Sequence, residues 1–319
     1  MNNILYLVIP CYNEEEVLQE TAKRLLAKMN TMIHNRIISD KSKILFVNDG
    51  SKDKTWNLIE ELHRNNNIFS GISLSINRGH QNALIAGLMT AKEYCDMTIS
   101  LDADLQDDVD VIDKFVEQYY AGNDIVYGVR SSRQTDTKFK RTTALAFYKL
   151  MSSLGVDMIY NHADYRLMSK QSLDGLAQFE EVNLFLRGIV PLVGYNHSII
   201  EYERHERFAG DSKYPLKKML SFALDGITSF SIKPIRIITT LGITIFFISI
   251  IALIYSLISH FSGNTVTGWT SLTISIWMLG GIQLLSLGII GEYIGKIYTE
   301  TKERPRYIIA QKLISNDQK

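Results

Sequence analysis

Residues 237–291 contain no Asp, Glu, Lys or Arg, whereas the residues before them are studded with all four. A stretch of this kind limits the fold sharply, because backbone polar groups withdrawn from water must be satisfied inside the segment, as they are in a helix. Within it, residues 237–258 and 269–291 are each long enough to cross a hydrocarbon core of about 30 Å at about 1.5 Å per residue. Two membrane-spanning helices are therefore expected, joined by a connector whose one ionisable side chain is His260. Lys233 and Arg236 precede the first, and Lys296, Lys302, Arg304 and Arg306 follow the second, which places both flanks on the cytoplasmic side. Gly291 and Gly295 form a small-xxx-small step able to seat another helix. Upstream, residues 215–232 carry Leu216, Met219, Leu220, Ala223, Leu224 and Ile227 at helical spacing beside Lys217, Lys218 and Asp225. That pattern suits an amphipathic helix on the cytoplasmic leaflet.

The whole chain has 319 residues, room for one large or two modest domains, with 34 basic and 34 acidic side chains. Balanced charge gives no global field to attract nucleic acid, and no nucleic-acid partner is expected. Locally, residues 130–149 hold six basic side chains against Asp136 alone, an excess suited to phosphate. Within it Lys138, Lys140 and Arg141 suit anionic headgroups and a solvated face equally well. Cys11 and Cys95 are the two cysteines, with no metal or disulfide spacing, which fits a reducing compartment. The N-terminal run lacks the basic and long apolar regions of a signal peptide, so the front half is expected in the cytoplasm.

Before the uncharged stretch, short apolar runs at residues 5–9, 44–47, 72–76, 97–101 and 125–129 read as buried strands. Helical patterns fill the intervals at 15–29, 54–64, 81–94 and 109–120. Alternation of this kind predicts a mostly parallel sheet with helices on both faces. Ligands in such sheets bind outside the carboxyl ends of the strands. Three ends carry polar clusters here: Pro10-Cys-Tyr-Asn-Glu14, Asn48-Asp-Gly-Ser51 and Asp102-Ala-Asp-Leu-Gln106.

In an extended segment the i, i+2 spacing of Asp102 and Asp104 puts both carboxylates on one side, where a divalent cation and a diphosphate can be held together. With Gln106 they offer only oxygen ligands, a set that suits Mg²⁺ or Mn²⁺ and disfavours zinc. Such an ion neutralises a nucleoside diphosphate leaving group without a proton donor. Asn13 and Glu14 can hydrogen-bond a base or ribose, Tyr12 can pack on a ring, and Asp49 offers another acceptor. In Asn77-Arg-Gly-His-Gln81, Gly79 permits close backbone approach to a ligand, while His80 fits equally a solvent-facing helix start.

The chain resembles the inverting family 2 glycosyltransferases of the polyprenyl-phosphate branch. The resemblance runs from Leu5 to Arg306 and rests on Val8-Ile-Pro-Cys-Tyr-Asn-Glu14, Val47-Asn-Asp-Gly-Ser51, Asn77-Arg-Gly-His80, Leu101-Asp-Ala-Asp-Leu-Gln106, Asp164-Tyr-Arg-Leu-Met168 and Arg207-Phe-Ala-Gly-Asp-Ser-Lys-Tyr214. It implies a GT-A catalytic domain with a Rossmann-like sheet, a metal on Asp104 and Gln106 supported by Asp102, and transfer to the phosphate of a long isoprenoid lipid. It implies a nucleotide-sugar site formed by Pro10, Tyr12, Asn13, Glu14, Asp49, Gly79, His80, Asp102, Ala103 and Asp104. The expected organisation is a catalytic domain at 1–214, an interfacial helix at 215–234, a transmembrane hairpin at 235–296 and a cytoplasmic tail at 297–319.

In this family the residue matching Asp164 is assigned as catalytic base. A phosphate monoester, with a second pKa of about 6, is already ionised near neutral pH, so Asp164 could instead orient Arg166 or the acceptor. Arg130, Arg204, Arg207 and Lys213, with the Ser212 hydroxyl, are the expected acceptor-phosphate partners. The expected reaction transfers one hexose, glucose or N-acetylglucosamine, from a UDP-sugar to undecaprenyl phosphate at the cytoplasmic membrane. By resemblance the enzyme is a homo-oligomer, with a tetramer in view. Other readings are a processive polysaccharide synthase, whose Gln-x-x-Arg-Trp stretch is missing here, and a non-catalytic nucleotide-sugar-binding subunit, which would not need intact metal ligands.

Overall fold

The computed structural model describes residues 2–131, 162–203, 233–261 and 268–314. They fall into two compact units, one holding 2–131, 162–203 and 304–314, the other 233–261 and 268–303. The amphipathic segment expected at 215–232 lies outside the described residues.

The first unit begins β1 (Leu5–Cys11), α1 (Leu18–His34), β2 (Lys43–Asn48), α2 (Thr55–Asn65), β3 (Phe69–Leu74), α3 (His80–Ala91) and β4 (Met97–Ser100). A 3-10 turn at Val109–Val111 leads into α4 (Ile112–Tyr120) and β5 (Ile125–Arg130). There follow β6 (His162–Ser169), α5 (Lys170–Ala177), α6 (Leu186–Leu192) and β7 (His197–Tyr202), and near the chain end β8 (Ile309–Leu313). Every residue of β1 is buried, as a central strand covered on both faces requires. Helix α1 buries Leu18, Ala22, Leu25, Met29 and Met32, one stripe at helical spacing, against a core that includes Leu5, Leu7, Ile9, Phe46 and Ile99. Helix α3 is buried along most of its length, and Gly87 is what lets it settle on the sheet. A Cβ there would stand 2.5 Å from Val8 Cγ1 and 2.6 Å from Val47 Cγ2.

The eight strands form one sheet in the order β7-β5-β6-β4-β1-β2-β3-β8. Pairs β1–β2, β1–β4, β2–β3 and β5–β7 are parallel. Pairs β4–β6, β5–β6 and β3–β8 are antiparallel, so the sheet is mixed where the alternating pattern suggests a mostly parallel one. The chain builds outward from β1 to β3, then returns to β1's other flank as β4, so the strand order reverses between β1 and β4, the kind of switch point at which sheets of this class bind ligands. Part of the segment expected as a tail joins this sheet: Ile309–Leu313 extends it beyond β3.

The second unit contains α7 (Lys233–Phe261) and α8 (Trp269–Thr301), of 29 and 33 residues, both longer than the expected spans. Apolar side chains such as Ile237, Phe247, Ile251, Leu284 and Leu285 are exposed on them. Among the described residues, Met278–Thr301 is long and apolar enough to cross a membrane.

Candidate active site

The site begins with strand register. Ser100 of β4 lies opposite Arg166 of antiparallel β6. Strand β4 ends at that pair, and the Ser100 hydroxyl closes the junction by donating to the Asp164 carbonyl at 2.5 Å. His80, the first residue of α3, enters between the two carboxylates, its Nε2 3.7 Å from Asp102 Oδ1 and 3.6 Å from Asp164 Oδ2. Arg166 follows Asp164 on the same face of β6 and places Nη2 3.4 Å from Oδ1. Arg187, in the first turn of α6, sets Nε 3.4 Å from Oδ1 and Nη2 3.3 Å from Oδ2. Asp164 is thus ringed by three cationic or protonatable groups.

These surroundings decide the charge of each group. Burial acts to raise the Asp164 pKa, but Arg187, His80 and Arg166 outweigh it and hold the carboxyl well below the usual carboxylate range. For His80, burial favours the neutral ring, while the hydrogen bond to Asp164 and the charge of Asp102 prevail and lift it to about 9. Asp102 moves up, first through burial and then through the like charges of Asp164 and Asp104, against the pull of His80. A crowded carboxylate in that state gains from a nearby cation.

Asp104 is 7% exposed, and its Oδ1 accepts the Gln106 N–H at 3.2 Å across a turn that holds Leu105 at φ 57°. Among the described residues no group of three His, Cys, Asp or Glu side chains is arranged as a metal cage. An open oxygen set of one or two carboxylates fits Mg²⁺ or Mn²⁺, which take their remaining ligands from water and substrate phosphates. Asp102, Asp104 and Gln106 are the residues able to hold it. Ala103 is buried, and its carbonyl accepts from the Thr21 hydroxyl at 2.7 Å, which braces the acidic turn on α1.

The other sequence-predicted residues divide by what they touch. Pro10 lies within β1, paired with Val47, rather than in the polar turn that follows the strand. The Asn13 N–H donates to Ser51 Oγ at 3.0 Å and its Oδ1 accepts the Lys52 N–H at 2.9 Å, while the Glu14 N–H donates to Thr55 Oγ1 at 2.9 Å. The loops after β1 and β2 are therefore stapled together, with Tyr12 half-buried between Cys11 and Asn13. Both oxygens of Asp49 accept backbone N–H groups, from Arg78 at 2.7 Å and Gly79 at 2.9 Å, so this carboxylate also shapes the turn that presents His80. Gly79, at φ 85°, occupies backbone space that favours glycine. Arg130 ends β5 with Nη2 4.0 Å from Asp107 Oδ1 and Nε 3.5 Å from the Tyr202 hydroxyl. Arg204, Arg207, Ser212 and Lys213 lie outside the described residues, as do Lys138, Lys140 and Arg141.

Three contributors were not expected. Arg187 sits in the apolar run Asn183-Leu-Phe-Leu-Arg-Gly188, where a lone guanidinium is itself a signal of a buried anion. Asp107 is 4% exposed and accepts the Tyr202 hydroxyl at 2.6 Å; burial and the nearby Asp102 charge raise its carboxyl to about 6. Gln81 reaches across the site, its Oε1 accepting the Leu186 N–H at 2.7 Å.

Residues 6–176 match the family model described as glycosyl transferase family 2, and residues 233–297 match the one described as GtrB C-terminal hairpin. The chain is 56% identical over 306 residues to a Bacillus subtilis (strain 168) protein named uncharacterized glycosyltransferase YkoT, covering 96% of this chain and 91% of that one. It is 41% identical over 308 residues to the prophage bactoprenol glucosyl transferase homolog of Escherichia coli (strain K12), covering 95% and 97%. The bactoprenol glucosyl transferase of Shigella phage SfX is 40% identical over 305 residues, covering 95% and 97%.

Proposed function

Since the chain belongs to glycosyl transferase family 2, we propose that it transfers a single hexose, glucose or N-acetylglucosamine, from a UDP-sugar to undecaprenyl phosphate, with inversion, at the cytoplasmic face of a membrane crossed by α7 and α8. The observation that carries this reading is the meeting of Asp102, Asp164 and His80 where the carboxyl end of β4 meets the amino end of β6, with Arg166 and Arg187 on Asp164. Relatives similar over nearly their whole length bear bactoprenol glucosyl transferase names, which supports a lipid phosphate as acceptor.

Each residue has a task in this scheme. Asp102, Asp104 and Gln106 hold the divalent ion, which when bound neutralises charge on the departing nucleoside diphosphate. Tyr12, Asn13, Glu14 and Asp49 lie on the two stapled loops that line the nucleotide end, and Gly79 lets backbone approach the donor. Arg130, held by Asp107 and Tyr202, is the described candidate for the acceptor phosphate, joined in the proposal by Arg204, Arg207, Ser212 and Lys213. Asp164 is a poor proton acceptor among three cationic groups. An ionised acceptor phosphate has no proton to give up, so Asp164 serves to fix His80, Arg166 and Arg187 about the reacting centre.

Purified full-length protein incubated with undecaprenyl phosphate, Mg²⁺ or Mn²⁺ and a panel of UDP- and GDP-sugars tests donor and acceptor together. Mass spectrometry should find lipid carrying one hexose unit from a UDP-sugar. A ladder of added hexoses, or product from GDP-sugars alone, contradicts the proposal.

A further inference from the structure

The chain segment after α8 lies against the two loops that build the Asp164 site. Ile308 accepts the Ser75 N–H at 2.9 Å, just past the end of β3, and β8 then pairs with β3 from Leu74 opposite Ile309 to Gly71 opposite Leu313. Ser75 begins the stretch that runs through Arg78 and Gly79 to His80. On the other side, Arg306 Nη1 donates to the Phe179 carbonyl at 3.0 Å. Phe179 opens the stretch that leads into α6 and Arg187.

The same two stretches are tied to each other. Phe185 gives α6 no side-chain cap, and Gln81 supplies one from across the site by accepting the Leu186 N–H at 2.7 Å. Three ties close a ring: Ile308 to Ser75, Arg306 to Phe179, and Gln81 to Leu186. Within it, His80 and Arg187 reach Asp164 from opposite stretches, at 3.6 Å and 3.3 Å. Where each of these charged groups stands relative to Asp164 follows from where its own stretch of backbone is held.

We propose that residues 304–313 are a clasp for the active site and that Arg306 is its positioning residue, acting through the Phe179 carbonyl to set Arg187 on Asp164. The hydrogen bond to the Phe179 backbone oxygen gives a residue beyond the last long helix a route to the guanidinium in α6. This inference rests on the glycosyl-transfer reading for its kinetic consequence, but its structural consequence stands apart from that reading.

The test uses the full-length detergent-solubilised protein and its Arg306→Ala and Arg306→Lys variants, each also made with Arg187→Ala. Arg306→Ala is expected to lower kcat about tenfold with donor KM changed less than about twofold. Arg306→Lys keeps a donor and should recover most of the loss. With Arg187 already removed, Arg306→Ala should lower kcat by less than about twofold, since the two act in one path. Hydrogen exchange should quicken at the 179–189 amides in Arg306→Ala and stay unchanged in β1 and β2. An unaltered kcat, a loss repeated in full in the Arg187→Ala background, or unchanged exchange at 179–189 overturns the clasp. A wild-type chain inert toward every donor would instead sink the transfer reading, with the exchange experiment still deciding the clasp.

Discussion

Arg187 holds Asp164 with two nitrogens, Nε 3.4 Å from Oδ1 and Nη2 3.3 Å from Oδ2, a fork on a carboxylate that also receives Arg166 and His80. A lysine can neutralise the carboxylate but cannot reproduce the fork. Arg187→Ala should therefore lower kcat by about 10²-fold, the scale of losing one preorganised electrostatic group, and Arg187→Lys should restore only part of it. Steady-state transfer kinetics check this; equal recovery by lysine would show that charge alone matters.

Asp164→Asn tests whether the carboxylate takes a proton. Its native pKa lies below the unfolded value, so it is ionised throughout the neutral range and titrates only as pH falls below the ordinary carboxylate region. The rate profile of wild type should accordingly fall toward acid with the acceptor phosphate, near about pH 6, and not with Asp164. In Asp164→Asn the rate should drop while that limb persists; loss of the limb would identify Asp164 as the base.

Tyr202 donates to buried Asp107 at 2.6 Å and lies beside Arg130. Removing the hydroxyl leaves a buried acceptor without this donor, a cost of about 1–3 kcal/mol. Tyr202→Phe should lower the denaturation midpoint and raise KM for the lipid phosphate more than for the nucleotide sugar. Equal effects on both substrates would separate Arg130 from the acceptor.

Gly87 carries no chemistry, and its substitution isolates packing from catalysis. A Cβ would press on Val8 Cγ1 at 2.5 Å and Val47 Cγ2 at 2.6 Å, both on central strands. Gly87→Ala should destabilise the protein by about 1–3 kcal/mol in thermal or denaturant unfolding, as overpacked cores do. A neutral result would mean that α3 lifts from the sheet at little cost.

The strands that frame the site divide by how readily residue pattern reveals them. Uninterrupted apolar runs mark β1, β2, β4 and β5, since strands covered on both faces need no polar face. The third run is displaced: β3 occupies Phe69–Leu74, and Ile76 lies beyond it, 54% exposed. Strand β6 escapes notice because Asp164 and Arg166 interrupt its apolar residues and are accommodated by pairing with each other. Strand β8 reads as tail because an edge strand of Ile-Ala-Gln-Lys-Leu buries little. The acidic turn at Asp102 and Asp104 is visible as local spacing, whereas Arg187, Gln81 and Tyr202 acquire meaning only through distant partners that no local pattern reports.

Chelation followed by metal restoration tests the account most directly, because the Asp102–Asp104 turn is assigned to hold a divalent ion. Enzyme stripped with EDTA should lose synthesis of hexosyl-lipid and regain it on adding Mn²⁺ or Mg²⁺, with no such recovery in Asp104→Ala. Undiminished turnover in the stripped enzyme would contradict the account.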